Sequence, residues 1–305
     1  MNKTTSWLKQ IQKNKGVQFY NQNSLFGEQT ERFALLNFLY TNPLGKMLRL
    51  LARHRFMAKI FAVYQNSGLT KSKIQPFIER YKICMNDFVV PEHGYHSFNN
   101  FFTRALKPGA RLIDQRDTVL VSPADAKCFV LENLQGDNEF FVKNCRFKLA
   151  DFLKDSELAG QYEQGTMMVF RLAPYDYHRY HFPTDCFVQK SEIIHGHLES
   201  VNPITFATGL QPLVQNERHL ITLQTKKFGD ILMIIVGAML VGKIVETHRV
   251  CQNYKKGEEA GLFEFGGSTV VLLFKKDMIK LRADLLKNSS EKKETVVKMG
   301  EAVSV

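Results

Sequence analysis

The run Val270-Val271-Leu272-Leu273-Phe274 is apolar at every position and is preceded directly by Phe265-Gly266-Gly267-Ser268-Thr269. Such a run, bounded by glycines, reads as a buried strand, and a chain that must bury one needs a sheet around it. A serine between two glycines and a buried strand has no evident packing duty. It can serve as a nucleophile turned on the chain itself, or it can belong to a plain glycine-rich turn that opens the strand. The first reading requires a base and an orienting carboxylate elsewhere.

The 305 residues, 44% of them hydrophobic, suffice for one large domain or two small ones with a real core. Five cysteines (Cys84, Cys128, Cys145, Cys186, Cys251) are widely spaced and form no Cys-x-x-Cys pair, so free thiols are expected rather than a disulfide framework or a zinc ribbon. The net charge of +11 is concentrated at one end: residues 1–82 carry fourteen Lys and Arg against Glu28, Glu31 and Glu79, and the remainder is balanced. A basic first third on a neutral body points to an anionic partner, whether nucleic acid, a membrane surface or a charged protein. The longest apolar run, Ile231 to Gly242, has 12 residues, short of the roughly 20 that span a bilayer. The first 20 residues have no continuous apolar core, so no secretory signal is expected.

Residues 1–30 read as a polar extension. From Arg32 to about Tyr64 the apolar spacing is helical, with a break at Asn42-Pro43. Between Leu44 and Tyr64, Lys46, Arg49, Arg53, Arg55 and Lys59 are set among apolar residues, and Leu44, Met47, Leu48 and Leu51 lie opposite Lys46, Arg49 and Arg53. That pattern suits a helix lying in a membrane interface, and equally a surface helix docked on the protein's own core. A further helix is expected over Lys71–Tyr81 and a short one over Leu149–Leu153. From Val119 onward the texture becomes short β-branched and aromatic runs, predicting strands at Val119–Val121, Met167–Leu172, Phe187–Ile194, His219–Thr225, Ile231–Val236, Lys243–Thr247 and Val270–Phe274. Lys287–Lys298 reads as a solvated, charged tail. The expected class is α+β: a polar extension (1–30), a helical, basic, membrane-facing segment (31–90) and a β-rich catalytic body (91–305).

Two further segments carry candidate chemistry. Arg171 to Pro183 places Asp176, His178, Arg179 and His181 within six positions, after an expected strand. Histidine changes charge near neutral pH, which suits acid–base work. A metal is the competitor, with His195 and His197 as further ligands, but no recognisable zinc pattern accompanies them, and no metal is assigned. In Ser122-Pro123-Ala124-Asp125-Ala126 the aspartate either makes an Asx turn or orients an imidazole, as the third member of a hydrolase triad does.

Taken in order, the motifs resemble those of the phosphatidylserine decarboxylases, self-cleaving pyruvoyl enzymes of phospholipid synthesis. The resemblance runs through Tyr95-His-Ser-Phe-Asn-Asn-Phe-Phe-Thr-Arg-Ala-Leu-Lys107, Ser122-Pro-Ala-Asp125, Asp176-Tyr-His-Arg-Tyr-His181, His195-Gly-His-Leu-Glu-Ser-Val-Asn-Pro203, Asn216-Glu-Arg218, Val236-Gly-Ala-Met-Leu-Val-Gly242 and Gly266-Gly-Ser-Thr269. Two positions depart from the family pattern. Ala126 stands where a glycine is usual, and Gly266 where the cleavage tetrapeptide commonly has Leu. Neither change removes a reacting atom.

The resemblance implies that Asp125, His181 and Ser268 form a self-cleavage triad acting at the Gly267-Ser268 bond. The chain would split into a β chain, 1–267, and an α chain, 268–305, held together as a heterodimer. Ser268 would become a covalent pyruvoyl group, the only cofactor, whose ketone forms a Schiff base with phosphatidylserine. His178 is the candidate proton donor, with His181 as the alternative. Lys46, Arg49, Arg53 and Lys59 are the candidates for membrane or phosphate binding. The implied setting is peripheral attachment to an anionic membrane, at the cytoplasmic face of a bacterial cell membrane, with no nucleic-acid partner. A Ser-His-Asp hydrolase is the competing enzyme class, weakened because Val270 stands where a nucleophile elbow needs its second glycine. A basic binding module without catalysis would leave the histidine-rich segment unexplained.

Overall fold

A computed structural model describes residues 18–21, 24–27, 38–52, 55–135, 138–139, 146–200, 205, 210–238, 243–266 and 268–305. Most of the 1–30 extension, Arg53 and Gly267 lie outside the described residues. In chain order the elements that build the fold are β1 (Gln18–Asn21), β2 (Ser24–Gly27), α1 (Pro43–Ala52), α2 (Arg55–Asn66), α3 (Ile74–Tyr81), α4 (Phe98–Phe102), β3 (Ala126–Leu131), β4 (Asn138–Glu139), β5 (Arg146–Phe147), α5 (Leu149–Leu153), α6 (Ser156–Gln161), β6 (Thr166–Leu172), β7 (Arg179–His181) and β8 (Cys186–Ile194). They continue with α7 (Pro212–Gln215), β9 (Arg218–Gln224), β10 (Asp230–Val236), β11 (Ile244–Glu246), β12 (Gln252–Tyr254), β13 (Glu259–Phe263), β14 (Ser268–Phe274), α8 (Ala283–Ser290) and β15 (Glu294–Val297). The α+β class matches the expectation, but the order differs: β1 and β2, from the expected polar extension, precede the helices and join the large sheet.

Ten strands form one sheet in the order β12-β8-β9-β10-β14-β6-β3-β15-β1-β2, and β11-β13-β7 form a second, smaller sheet. Pairing in the large sheet is antiparallel except between β1 and β15. β14 lies inside the large sheet, hydrogen-bonded to β10 on one edge and β6 on the other. Alternate side chains of a strand point to opposite faces. Val270, Leu272 and Phe274 enter one core with Phe170, Met233 and Ile235, while Val271 and Leu273 enter another with Val169, Leu232 and Ile234. Burial on both faces is why the sequence here is apolar without alternation.

The chain's end departs from the expected solvated tail. Lys287–Lys298 contributes the last turn of α8 and all of β15, which inserts between β3 and β1. Asn288, Ser289, Glu294 and Thr295 mislead because they are buried with partners. The Arg171 guanidinium donates twice to Glu294 (3.0 and 2.8 Å), Asn288 donates to Thr295 (3.0 Å), and the Ser289 hydroxyl accepts from the Val130 amide (2.9 Å). Val119–Val121, expected as a strand, makes a single bridge, Val121 to Ala302. Its other backbone bonds go to scattered partners, such as the Leu120 amide to the Ser304 hydroxyl. The short strands β3, β7, β12, β13 and β15 escape sequence reading.

An aromatic cluster docks the helices on the sheet. Ile74, Tyr95, Phe98, Phe101, Phe102 and Phe265 pack together, with Phe61 and Phe77 at the margin. The outer side of α1 and α2 stays apolar and exposed, including Phe56 (71% exposed), Ile60 (50%) and Val63 (74%).

Because Leu272 is fully buried in a strand held on both edges, Leu272→Ala should cost about 2–5 kcal/mol. Urea unfolding monitored by circular dichroism measures it.

Candidate active site

Ser268 is the first residue of β14 and lies opposite Leu172, the last residue of β6. The chain leaving Leu172 turns through Ala173–His178 into β7, so the apolar pairing of two strands brings the histidine-rich segment beside the serine's end of the sheet. The turn is locked internally. The Asp176 carboxylate accepts from the Ala173 amide (2.7 Å) and pairs with the buried Lys127 on β3. Arg104 donates to the carbonyls of Tyr175 (3.0 Å) and Asp176 (3.1 Å).

The motif around α4 explains itself in the same way. Ser97 caps the helix by accepting from the Asn100 amide (3.1 Å), and Asn99 accepts from the Phe265 amide (2.8 Å). Phe265 meets Phe98 (5.1 Å) and Phe102 (5.0 Å) edge-on, and this clamps the segment leading to the serine. Gly266 has φ 151°, a backbone that side chains rarely adopt, which is the physical ground for glycine where the family pattern commonly has Leu. Ala126 has no positive φ, so its backbone accepts a Cβ in place of the usual glycine.

Both histidines are buried and neutral. His178 Nδ1 lies 2.9 Å from the Asp176 carbonyl, and a carbonyl only accepts, so Nδ1 carries the proton and Nε2 the lone pair. Nε2 is buried with no partner among the described residues, and the ring lies on Phe102, 3.9 Å between centroids. Burial first, and then the Arg104 charge, push the His178 imidazole down to about 3, the Asp176 carbonyl notwithstanding. His181 Nδ1 donates to the Gly257 carbonyl (2.9 Å), and its Nε2 meets the Tyr177 hydroxyl (3.0 Å). Burial lowers its pKa as well, against the Gly257 carbonyl. The Ser268 hydroxyl is wholly buried and has no partner among the described residues.

Asp125 sits near this group without a hydrogen bond to it. Its carboxylate accepts from Arg111 Nε (3.1 Å) and Nη2 (2.7 Å), from Lys298 Nζ (3.2 Å) and from the Met299 amide (2.9 Å). Burial alone would raise this carboxyl; the Arg111 hydrogen bonds, the Lys298 and Arg111 charges and the Met299 amide outweigh it and hold the pKa below the ordinary range. The orienting contact on His181 is therefore the Gly257 carbonyl, and Asp125 acts on the imidazole through its field, which favours the protonated ring. Arg111 extends the link by donating to Asp87 (2.8 Å).

Sequence reasoning missed Arg104, Arg111, Tyr177 and the Lys298–Met299 corner. Tyr177 lies inside a segment already singled out, whereas Arg111 and Met299 reach Asp125 from 14 and 174 residues away. Of the basic candidates near the N-terminus, Lys46 and Lys59 are exposed. Arg49 is engaged by the buried Glu199, which also accepts from Tyr40 (3.0 Å). His195 and His197 are exposed, unlike the two buried histidines; His195 Nδ1 is 3.6 Å from Glu217.

The fold and site define an α+β protein with a buried serine at the head of a central strand and two buried neutral histidines beside it. A family model described as phosphatidylserine decarboxylase matches residues 98–304. The phosphatidylserine decarboxylase proenzyme of Fusobacterium nucleatum is 42% identical over 267 residues, 87% of this chain and 89% of that protein. The proenzyme of Chlamydia caviae gives the same figures, and that of Chlamydia felis is 40% identical over 269 residues, 88% and 90% of the two chains. The chain belongs to the phosphatidylserine decarboxylase family.

Removing Arg111 leaves the Asp125 charge buried and less compensated. Arg111→Met in the Ser268→Ala background should lose about 3–5 kcal/mol at neutral pH. A carboxyl with a depressed folded pKa contributes stability above its unfolded pKa of about 3.9 and loses it as pH falls through the folded value. The deficit should therefore shrink below about pH 4, as urea titrations at stepped pH would show.

Proposed function

We propose that the chain cleaves itself at Gly267-Ser268 and then decarboxylates phosphatidylserine to phosphatidylethanolamine. The observation that carries this is the Ser268 hydroxyl, fully buried and without a partner among the described residues, at the end of the sheet that the neutral histidines reach and where they can take a proton. A nucleophile sealed from solvent suits an attack on its own chain better than on an outside ester, which favours self-processing over a hydrolase.

In self-cleavage His181 takes the hydroxyl proton at Nε2 while the Gly257 carbonyl holds its Nδ1 proton and Asp125 stabilises the imidazolium that forms. The Ser268 oxygen attacks the Gly267 carbonyl, and the acyl group moves from nitrogen to oxygen. Loss of the Ser268 α-proton expels the Gly267 carboxylate and leaves dehydroalanine at the new N-terminus. Water then replaces its nitrogen, releasing ammonia and leaving a pyruvoyl group. Ser268 Oγ and His178 Nε2, both buried and without a partner among the described residues, fit such a group. Its ketone supplies an electron sink for the carbanion left by departing carbon dioxide.

His178 is the proposed donor that reprotonates that carbon. An incoming anionic headgroup favours its charged form, opposing the burial and the Arg104 charge that keep it neutral here. The α chain, 268–305, stays in place as a heterodimer partner because β14 and β15 are both strands within the parent sheet.

Membrane docking is assigned to the exposed apolar side of α1 and α2 with Lys46 and Lys59 beside it. Among the described residues no helix is long and apolar enough to cross a membrane. A peripheral position at the cytoplasmic face of a bacterial membrane suits both observations. Arg49 contributes there through its bond to Glu199, which fixes α1 to the body.

Intact-mass spectrometry of the 35.1 kDa chain tests the first step. Two fragments dividing at Gly267/Ser268, the smaller one blocked at its N-terminus, with Ser268→Ala whole, are expected; an uncut wild-type chain after incubation with anionic lipid sinks it. Charge removal at Lys46 and Lys59 together should weaken binding to phosphatidylserine vesicles roughly thirty-fold, about 1 kcal/mol per lysine, with self-cleavage intact. Loss of cleavage as well would make these lysines part of the fold.

A further inference from the structure

The atom that must accept the Ser268 proton already has a partner. With the Nδ1 proton committed to the Gly257 carbonyl, the neutral His181 presents one lone pair, at Nε2, and the Tyr177 hydroxyl donates to it at 3.0 Å. One sp² nitrogen lone pair takes one strong hydrogen bond. The Ser268 hydroxyl, with no partner among the described residues, reaches neither Nε2 nor the phenol oxygen, so no relay through Tyr177 is formed. The Tyr177 ring is buried, stacked on His181 (5.7 Å, 30° between planes) and packed on Phe88 (6.2 Å).

We propose that Tyr177 is a positioning residue for self-cleavage: its hydroxyl latches the Nε2 lone pair of His181 in the uncleaved chain, and its displacement hands that lone pair to Ser268. The inference deepens the self-processing reading and rests on His181 being the base. No bond is made or broken in the latch step. Tyr177 keeps its own proton, since burial raises the phenol above its ordinary range, and the proton His181 receives is the one from Ser268. A donor on Nε2 also favours the uncharged ring, so the latch keeps His181 ready as a base while blocking its use. The other charged groups around His181 are Glu259 with its partner Arg179, and Asp125 with Arg111. Tyr177→Phe leaves all of them, and the stacked ring, in place.

The test follows the full chain made by cell-free translation, timing the appearance of the 1–267 and 268–305 fragments across a pH series, for wild type and Tyr177→Phe. On the plateau the variant should cleave about three- to ten-fold faster, the worth of one net hydrogen bond. The acidic limb of its profile should move up by about half to one pH unit, because the donor that favoured the neutral ring is gone. An unchanged rate and limb would reduce Tyr177 to packing and overturn the latch. A variant slowed well below wild type would overturn it too, making the phenol a required relay. Nitrogen-15 NMR of the His181 ring in the uncleavable Ser268→Ala chain decides the matter if Tyr177→Phe folds poorly. The latch requires an unprotonated, hydrogen-bonded Nε2, and a proton found on Nε2 at neutral pH rules it out. A wild-type chain that never cleaves is a different failure, that of self-processing itself.

Discussion

Everything at the candidate site hangs on β14 being buried on both faces and bonded on both edges. That placement is what sets Ser268 at a strand's first position, opposite Leu172, and so next to the turn that delivers His178 and His181. It also accounts for the behaviour expected after cleavage. A 38-residue piece has too little apolar surface for its own core, yet it holds a central strand and, through β15, a second one. The buried Arg171–Glu294 pair joins the two prospective chains across β6 and β15. Cutting the backbone before Ser268 leaves these contacts untouched.

The second constraint is the grip on Asp125. A buried carboxylate needs its charge compensated, and here the compensation comes from two separated stretches: Arg111, and the adjacent Lys298 side chain and Met299 amide. Asp125 therefore ties the end of the prospective α chain to the segment that carries Arg111 and, through it, to Asp87. Its influence on His181 is electrostatic, and direct orientation falls to a backbone carbonyl at Gly257, in a turn whose φ of 83° suits glycine. A carbonyl cannot change protonation state, so the tautomer of His181 is held at any pH at which the ring is neutral.

The helical face raises a different physical question. Leu44, Met47, Leu51, Phe56, Ile60 and Val63 are large apolar side chains left exposed on two successive helices. Their basic neighbours Lys46 and Lys59 are solvent-facing, whereas Arg49 is turned inward to Glu199. The same helices reach the site through Phe61 and Phe265, only three residues before Ser268. The exposed apolar face of the helices and the segment leading to Ser268 thus share one aromatic cluster.

Much of this was legible in the residues themselves. The two-faced apolarity of Val270–Phe274, the β-branched and aromatic runs of the longer strands and the helical spacing after Asn42-Pro43 are all local patterns, which survive in one dimension. The ordered motifs likewise named Asp125, His178, His181 and Ser268 as a group. What the sequence could not display were contacts whose partners lie far apart along the chain. Glu294 and Thr295 read as solvated because nothing near them shows Arg171 or Asn288 waiting in the fold. Arg49 read as free because Glu199 is 150 residues away. Asp125 read as the imidazole's partner because its claimants, Arg111, Lys298 and Met299, carry no local signal. Periodicity and motif belong to the chain; the pairing of buried charges and the owner of a single lone pair are decided only when the sheet closes, because desolvation makes each buried polar atom take the partner that packing brings to it.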